Sequence, residues 1–351
     1  MFAKKKDSET RNDPSVLQYM KSLSAPAEVK PEITFVSELC DEWLKNYSMQ
    51  LQPTTVHSYR VAANCHIKRV LGHIRLDELT FEDCQLFINS LQIGCGIPTP
   101  LKTKTIRNIY EALHVALKTA VKLELIRSNP ADGVLLPKNE KFTYTLLDQK
   151  KLCAFYTQLE GHSMRDLFLF DLYTGLRQAE VIGLTWDCVD LTEGTMNIHR
   201  QLQYNKDTNE YIWSPPKGGR TRLLALNKHA LEILRRVRSK RRRAKGPDDF
   251  VFITRNLTHY SPTGVYKSFK TVVDHIGCPN VRFHDLRHTY AVMSLQAGID
   301  PKTIQYNLGH YSAAFTLDVY CHCLDEMKKK GSEKLDSFFD NLLQTERSNQ
   351  R

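Results

Sequence analysis

Several short stretches of this sequence set ionisable side chains at spacings that could grip and attack an anionic centre. In Tyr173-Thr174-Gly175-Leu176-Arg177-Gln178-Ala179-Glu180 an arginine follows a helix-breaking glycine, and Glu180 lies three residues on, within reach to orient it. In His284-Asp285-Leu286-Arg287-His288 the first histidine and the arginine stand i, i+3 and share a helix face. Leu308-Gly309-His310 puts an imidazole after a residue that lets the backbone approach a ligand closely, and Tyr320 follows ten residues later. Lys217 sits in Pro215-Pro216-Lys217-Gly218-Gly219-Arg220, which is turn chemistry. Guanidinium groups hold phosphate or carboxylate oxygens with paired bonds at fixed geometry, which lysine cannot do. A phenol, with an ordinary pKa of about 10, attacks only in positive surroundings or beside a base.

Other chemistries lack their residues. The chain has no G-x-x-x-x-G-K-[ST] phosphate loop, no G-x-S-x-G elbow and no tight acidic cluster for paired metals. A nucleic-acid enzyme built on it would need neither ATP nor metal, so no cofactor is expected. Lysine and arginine number 49 against 39 acidic residues, a net charge of +10, which suits a polyanionic partner. Nine cysteines are scattered without a C-x-x-C pair and read as reduced thiols; Cys321 and Cys323, flanking His322, read as incidental helix residues. The longest apolar run, Leu167 to Leu172, is broken by Asp171 and falls far short of the roughly 18 residues that span a bilayer. The basic start lacks an apolar stretch, so no export signal and no membrane partner are expected.

The elements that must position these residues follow from periodicity. Residues 1–30 are polar and read as a flexible tail. Thr34 looks like an N-cap for a helix carrying Phe35, Leu39, Trp43 and Tyr47; Pro53 opens a second helix, Thr80 a third, and a fourth runs from about Thr103 to Leu125. That is a helical domain over 34–128, with Lys102, Lys104 and Arg107 as candidate phosphate contacts. The Pro- and Gly-bearing stretch 129–144 reads as a linker. A second domain, 145–332, opens with helices over Leu146–Leu159 and Arg165–Tyr173. Strands then read at Met196–Ile198, Tyr211–Trp213 and Arg222–Leu226, the last two joined by an exposed basic tip carrying Lys217 and Arg220. The basic run Arg235–Lys245 reads as a solvated face, Asp285 faces solvent, and residues from Phe283 onward are helical. The fold class expected is mainly α with a small antiparallel β-sheet.

The ordered set R-x-x-E, turn lysine, H-x-L-R-H, L-G-H and a tyrosine about ten residues on resembles the tyrosine recombinase, or phage integrase, family, over roughly residues 34–340. It is most similar to integrases of phages and conjugative transposons of Gram-positive bacteria. The resemblance implies a helical core-binding domain and a mixed α+β catalytic domain. It assigns Arg177, Lys217, His284, Arg287 and His310 to charge handling and Tyr320 as nucleophile, with Glu180 and His288 in support. Tyr306 and Tyr311 lack the spacing from Leu-Gly-His, while Arg220 and Arg222 are alternatives to Lys217 and candidate DNA contacts. It further implies cutting and rejoining of duplex DNA through a 3′-phosphotyrosine bond, two domains clamping the duplex as a C shape, and a DNA-bound homotetramer. The implied setting is the bacterial cytoplasm and nucleoid, and accessory directionality or DNA-bending proteins are further possible partners. An apolar stripe in residues 333–351 (Leu335, Phe338, Phe339, Leu342, Leu343) is expected to dock on a neighbouring protomer. Many integrases of this type carry an arm-binding domain, for which residues 1–30 are too short and too polar.

Three rivals stand beside this reading. His284 and His288 at i, i+4, with His310, have the spacing of a zinc-peptidase helix, although Asp285 replaces the longer general-base glutamate. The stretch from Tyr290 through Gly298 to His310 reads as helix, turn, helix, which suits a DNA-binding regulator. A type IB topoisomerase would share the chemistry but relax DNA without exchanging partners.

If Lys217 protonates the leaving 5′-oxygen, Lys217→Ala slows cleavage by roughly a hundredfold, the range for a lost general acid. The defect shrinks on a substrate with a 5′-bridging sulfur, which leaves without a proton. An equal defect on both substrates, read by single-turnover cleavage, rules out this role.

Overall fold

Helix signals in the first hundred described residues are strong and local. The computed structural model describes residues 33–94, 99–138, 145–240 and 249–309, with 335, 336 and 339. The expectations for the N-terminal tail, His310, Tyr320 and most of 333–351 lie outside them. The chain divides into two units, Met1–Lys141 and Phe142–Arg351.

In the first unit α1 (Val36–Asn46) starts at Phe35, not Thr34, because Glu38 reaches back to accept both the Thr34 and Phe35 amides at 2.8 and 3.0 Å. α2 (Pro53–Ala62) begins with proline at a position that lacks a helical partner for its nitrogen anyway, and passes through a π-helical turn, Ala63–Ile67, into a last turn, Lys68–Val70. α3 (Phe81–Ile93) is closed at its start by Thr80 and Asp83, each side chain taking the other's backbone N–H. α4 (Thr103–Lys122) buries Ile106, Ile109, Leu113, Ala116, Leu117 and Ala120, a stripe at helical spacing that packs on Trp43 and Phe87.

The second unit is built around α6 (Arg165–Thr174). This helix is apolar nearly all round, and Leu167 through Leu172 are all buried, so it must sit inside the unit. α5 (Gln149–Gln158), capped by Asp148, is shorter than the expected Leu146–Leu159. α7 (Gln178–Ile182), α8 (Lys228–Ser239), α9 (Pro262–His275), α10 (Asp285–Gln296) and α11 (Pro301–Leu308) complete the helices. Phe155, Phe168, Phe269 and Phe283 interlock edge to face or tilted with centroids 5.4–6.0 Å apart. Phe283 immediately precedes His284, so burying that ring fixes where α10 begins. Among the described residues no helix is long and apolar enough to cross a membrane.

The strands differ from the sequence reading in pairing. β1 (Val189–Asp190), β2 (Thr195–Ile198) and β5 (Arg222–Ala225) form one antiparallel sheet in the order β1-β2-β5. β3 (Gln201–Asn205) and β4 (Glu210–Ser214) form a separate hairpin. β4 and β5 are therefore not partners. The hairpin turn is Lys206–Asn209, and the Pro215–Arg220 segment bridges two sheets instead of capping one hairpin. The polar strand β3 masked this in the sequence: Gln201-Leu-Gln-Tyr-Asn lacks the β-branched residues that mark strands.

Gly175 ends α6 with φ +63°, and a Cβ there would stand 2.5 Å from Tyr290 Cδ1 and 2.8 Å from Leu308 Cδ2. Its backbone also carries an acceptor of the site below. Gly175→Ala therefore combines left-handed strain with overpacking, about 2–4 kcal/mol of lost stability. A drop in urea-unfolding free energy smaller than about 1 kcal/mol, the value for a relaxed surface glycine, would show that Tyr290 and Leu308 move aside.

Candidate active site

Three arginines from three distant segments meet at one helix end. α11 stops at Gly309, which has φ +63°, and the carbonyls of its last turn have no helical partners. Arg222 Nε donates to Asn307 O at 2.8 Å, Arg287 Nη2 donates to Leu308 O, and Arg177 Nη2 donates to Gly309 O at 2.7 Å. The negative end of the helix dipole favours these cations. Arg287 Nη1 also donates to Gly175 O at 2.8 Å, tying α10 to the end of α6. A side chain at 309 would crowd Arg222 Nη1 at 3.2 Å and Arg177 Nη1 at 3.5 Å, which accounts for the glycine in Leu-Gly-His.

Glu180 organises the cluster from within. Its Oε1 accepts from Arg177 Nη1 at 2.9 Å and Arg222 Nη1 at 3.0 Å; its Oε2 accepts from the Arg177 amide at 2.9 Å and Arg222 Nη2 at 2.6 Å. Burial alone would raise this carboxyl, but the bonds and charge of Arg222, then Arg177, hold it down at about 2. Arg287 is 1 % exposed, and burial, together with Arg177 and Arg222, lowers it to about 9, so it stays charged at neutral pH. Asp171 is buried beneath them, and neither of its oxygens has a hydrogen-bond partner. Burial pushes its carboxyl well up, against the pull of Arg287.

The two imidazoles at the start of α10 lie edge to face with centroids 5.1 Å apart. Burial, then neighbouring positive charge including Arg287, lowers both to about 4, so both are neutral at pH 7. His284 keeps an exposed edge where water screens it, whereas His288 is only 4 % exposed, so the effect on stability is weighed on His288. The same positive surroundings disfavour a divalent cation, against the zinc-peptidase geometry.

The structure thus brings Arg177, Glu180, Arg287, His284 and His288 together. His310 and Tyr320 lie outside the described residues, directly after the clamped Gly309. Lys217 and Arg220 are exposed on the segment between β4 and β5, and Lys102 and Lys104 are exposed at the start of α4. Arg107 instead donates through Nε and Nη2 to Pro137 O at 3.1 and 2.9 Å. Arg222, expected to face DNA, is 3 % exposed with its donors turned onto Glu180 and Asn307. Asp285, expected in solvent, is 1 % exposed; it accepts from the Arg282 amide at 2.8 Å and the Arg282 guanidinium at 3.1 and 2.8 Å, closing the entry to α10. In the basic run, Arg236 pairs with Asp166 at 2.6 Å. One group that sequence reading missed, Asp187, Cys188 and His199, has donor atoms within 4.8 Å of one another, but Asp187 already accepts from Arg200 at 3.0 and 3.2 Å.

Residues 145–327 match the model of the phage integrase family, and residues 35–92 match that of the phage integrase N-terminal SAM-like domain. The chain belongs to the phage integrase family. Among curated relatives it is similar to a tyrosine recombinase XerC-like protein of Caldanaerobacter subterraneus, 24% identical over 363 residues covering 95% of this chain and 90% of the relative. It is also similar to the transposase from transposon Tn916 of Enterococcus faecalis, 29% identical over 254 residues, 66% of this chain and 62% of that relative. The fold is shared with the Tn1549 transposon integrase in complex with a circular intermediate DNA, with TM-score 0.74, 23% identity, and coverage of 86% of this chain and 99% of that one. A lambda integrase tetramer bound to a Holliday junction has TM-score 0.60 at 18% identity, covering 87% of this chain and 86% of that one. Membership of the phage integrase family sets aside the zinc-peptidase reading.

His288 gives the site a pH signature. Between about pH 6.5 and 4 the unfolded chain takes up a proton at this ring and the folded integrase domain does not. Stability therefore falls as pH falls through that window, by on the order of 2–3 kcal/mol from this residue. His288→Asn flattens the slope of unfolding free energy against pH there; an unchanged slope would mean the native ring is already charged.

Proposed function

We propose that this phage integrase family member is a site-specific DNA recombinase that cuts and rejoins duplex DNA through a 3′-phosphotyrosine bond to Tyr320. The observation that carries the reading is the convergence of Arg177 and Arg287 on adjacent carbonyls, Gly309 O and Leu308 O, immediately before His310, which itself stands ten residues from that tyrosine.

The chemistry follows from the charges. Attack of the Tyr320 oxygen on the scissile phosphorus gives a pentacoordinate phosphorane with extra negative charge on its non-bridging oxygens. Two of the five N–H donors of Arg177 are engaged, with Glu180 and Gly309, so others are left to face such oxygens. Arg287 adds fixed positive charge beside it. His284, neutral at pH 7, suits accepting the phenol proton or donating to the phosphate, and His310 is the second such group. Lys217, exposed between β4 and β5, gives a proton to the 5′-oxygen as the P–O bond breaks in this reading. The phosphotyrosine ester keeps the energy of the broken phosphodiester, so attack by a new 5′-hydroxyl reverses the steps without ATP.

The partner proposed is duplex DNA carrying recombination sites, joined through a Holliday junction by a homotetramer. Lys102, Lys104 and Arg220, all exposed, are proposed phosphate contacts. Residues 333–351 dock on a neighbouring protomer; Leu335 and Phe339 are each more than half exposed. Accessory directionality or bending proteins complete the reaction, in the bacterial cytoplasm on nucleoid DNA.

Tyr320→Phe is the first test, on a nicked duplex carrying the site selected by the protein from random-sequence DNA. Wild type forms a detergent-resistant covalent complex; the variant binds with unchanged affinity and forms none. A complex that persists in the variant moves the nucleophile elsewhere, and a wild type that binds but never joins favours the DNA-binding regulator. Removing residues 333–351 leaves binding intact and abolishes strand exchange; unimpaired exchange removes the docking role.

A further inference from the structure

We propose that Arg222 is a positioning residue for Arg177, acting through Glu180. This rests on the recombinase reading above and adds to it a residue outside the expected charge-handling set.

The geometry separates Arg222 from both simpler roles. It is no phosphate contact, because it is 3 % exposed and its Nε, Nη1 and Nη2 each donate inward, to Asn307 O, Glu180 Oε1 and Glu180 Oε2 at 2.8, 3.0 and 2.6 Å. Nor is it an ordinary buried pair, because its carboxylate partner is shared. Each Glu180 oxygen accepts one bond from Arg222 and one from Arg177, so four donors saturate the carboxylate and lock its rotation. Without Arg222, Glu180 keeps only its two bonds to Arg177 and can turn, and the Arg177 fork turns with it.

Charge gives Arg222 a second effect on the same residue. Glu180 alone would cancel the positive charge of Arg177, leaving it weaker toward a phosphorane. Arg222 offsets Glu180, so the full charges of Arg177 and Arg287 remain for the non-bridging oxygens. The bond from Arg222 Nε to Asn307 O also holds the turn that leads through Gly309, the other partner of Arg177, to His310. One buried side chain thus fixes both anchors of Arg177.

The two effects have separate variants. Arg222→Lys keeps the charge and loses the fork; Arg222→Met loses both. With the selected nicked duplex, DNA affinity and melting temperature are measured beside single-turnover cleavage. Displacing a site group by an ångström lowers rate by roughly a hundredfold. The expectation is about tenfold slower cleavage for Arg222→Lys and about a hundredfold for Arg222→Met, with DNA affinity within about twofold of wild type, the factor expected of a residue that does not touch phosphate. The discriminating arm replaces the scissile phosphate by a methylphosphonate, which removes one non-bridging charge. If Arg222 works by presenting the Arg177 charge, the gap between variant and wild type narrows at least fivefold on that substrate. An equal gap on both substrates, loss of folding in both variants, or wild-type cleavage by Arg222→Met overturns the proposal in favour of a purely structural pair or no role. If wild type itself forms no covalent complex, the recombinase reading fails instead, independently of Arg222.

Discussion

Everything about the second unit turns on how three guanidinium groups are kept together at one helix end. Like charges gathered at one point repel, and burial adds a penalty for Arg287. The solution is to set them against the end of α11, where Asn307, Leu308 and Gly309 each offer a carbonyl that the helix cannot use. Glu180 supplies a full negative charge, kept ionised despite burial by its bonds to Arg222 and Arg177. The cluster thereby remains net positive, a state that an ordinary core would not tolerate and that suits an anionic group.

The same arrangement couples the site to the packing of the unit. Arg287 reaches both the end of α6 and the end of α11, so the contact between α10 and α6 sets the site as much as the arginines do. Leu295 and Val292 of α10 bury against Ile304 and Leu308 of α11, and Gly175 allows Tyr290 and Leu308 to close over it. Aromatic interlock at Phe168, Phe269 and Phe283 holds the entry to α10. Chemistry and core are not separable here: the atoms that bind the cations are backbone atoms whose places are decided by apolar side chains.

The sequence was most legible where function is local in the chain. Arg177 with Glu180, and His284 with Arg287 and His288, lie within one or two helical turns, so spacing alone told that they share a neighbourhood. The helices of the first unit were equally readable, because caps such as Thr80 with Asp83 and the stripe on α4 are short-range signals. What failed depends on long-range pairing. In Arg222-Leu223-Leu224-Ala225 either leucine could mark the inner face; the structure buries Leu224, and Arg222 goes in with it. The alternation was visible and its sense was not. Asp285 was misread for a related reason: an acidic residue in the first turn of a helix suits solvent, and only the approach of Arg282 from the preceding loop makes burial tolerable. The split of the strands into two sheets was hidden by the polar composition of β3.

That split has a bearing on the segment carrying Lys217. A side chain on a conventional hairpin loop moves only as far as its two strands allow, and a large excursion unzips the ladder between them. Here the flanking strands belong to different sheets: Ser214 is paired back to Gln201 and Arg222 back to Ile198. Displacing the span between them opens neither ladder, and the bonds it would break include the turn-level ones from Gly219 N to Pro216 O and from Gln201 Nε2 to Pro215 O. A side chain mounted this way sits on a tether with two independent moorings, so its displacement need not disturb the cationic cluster beside β5.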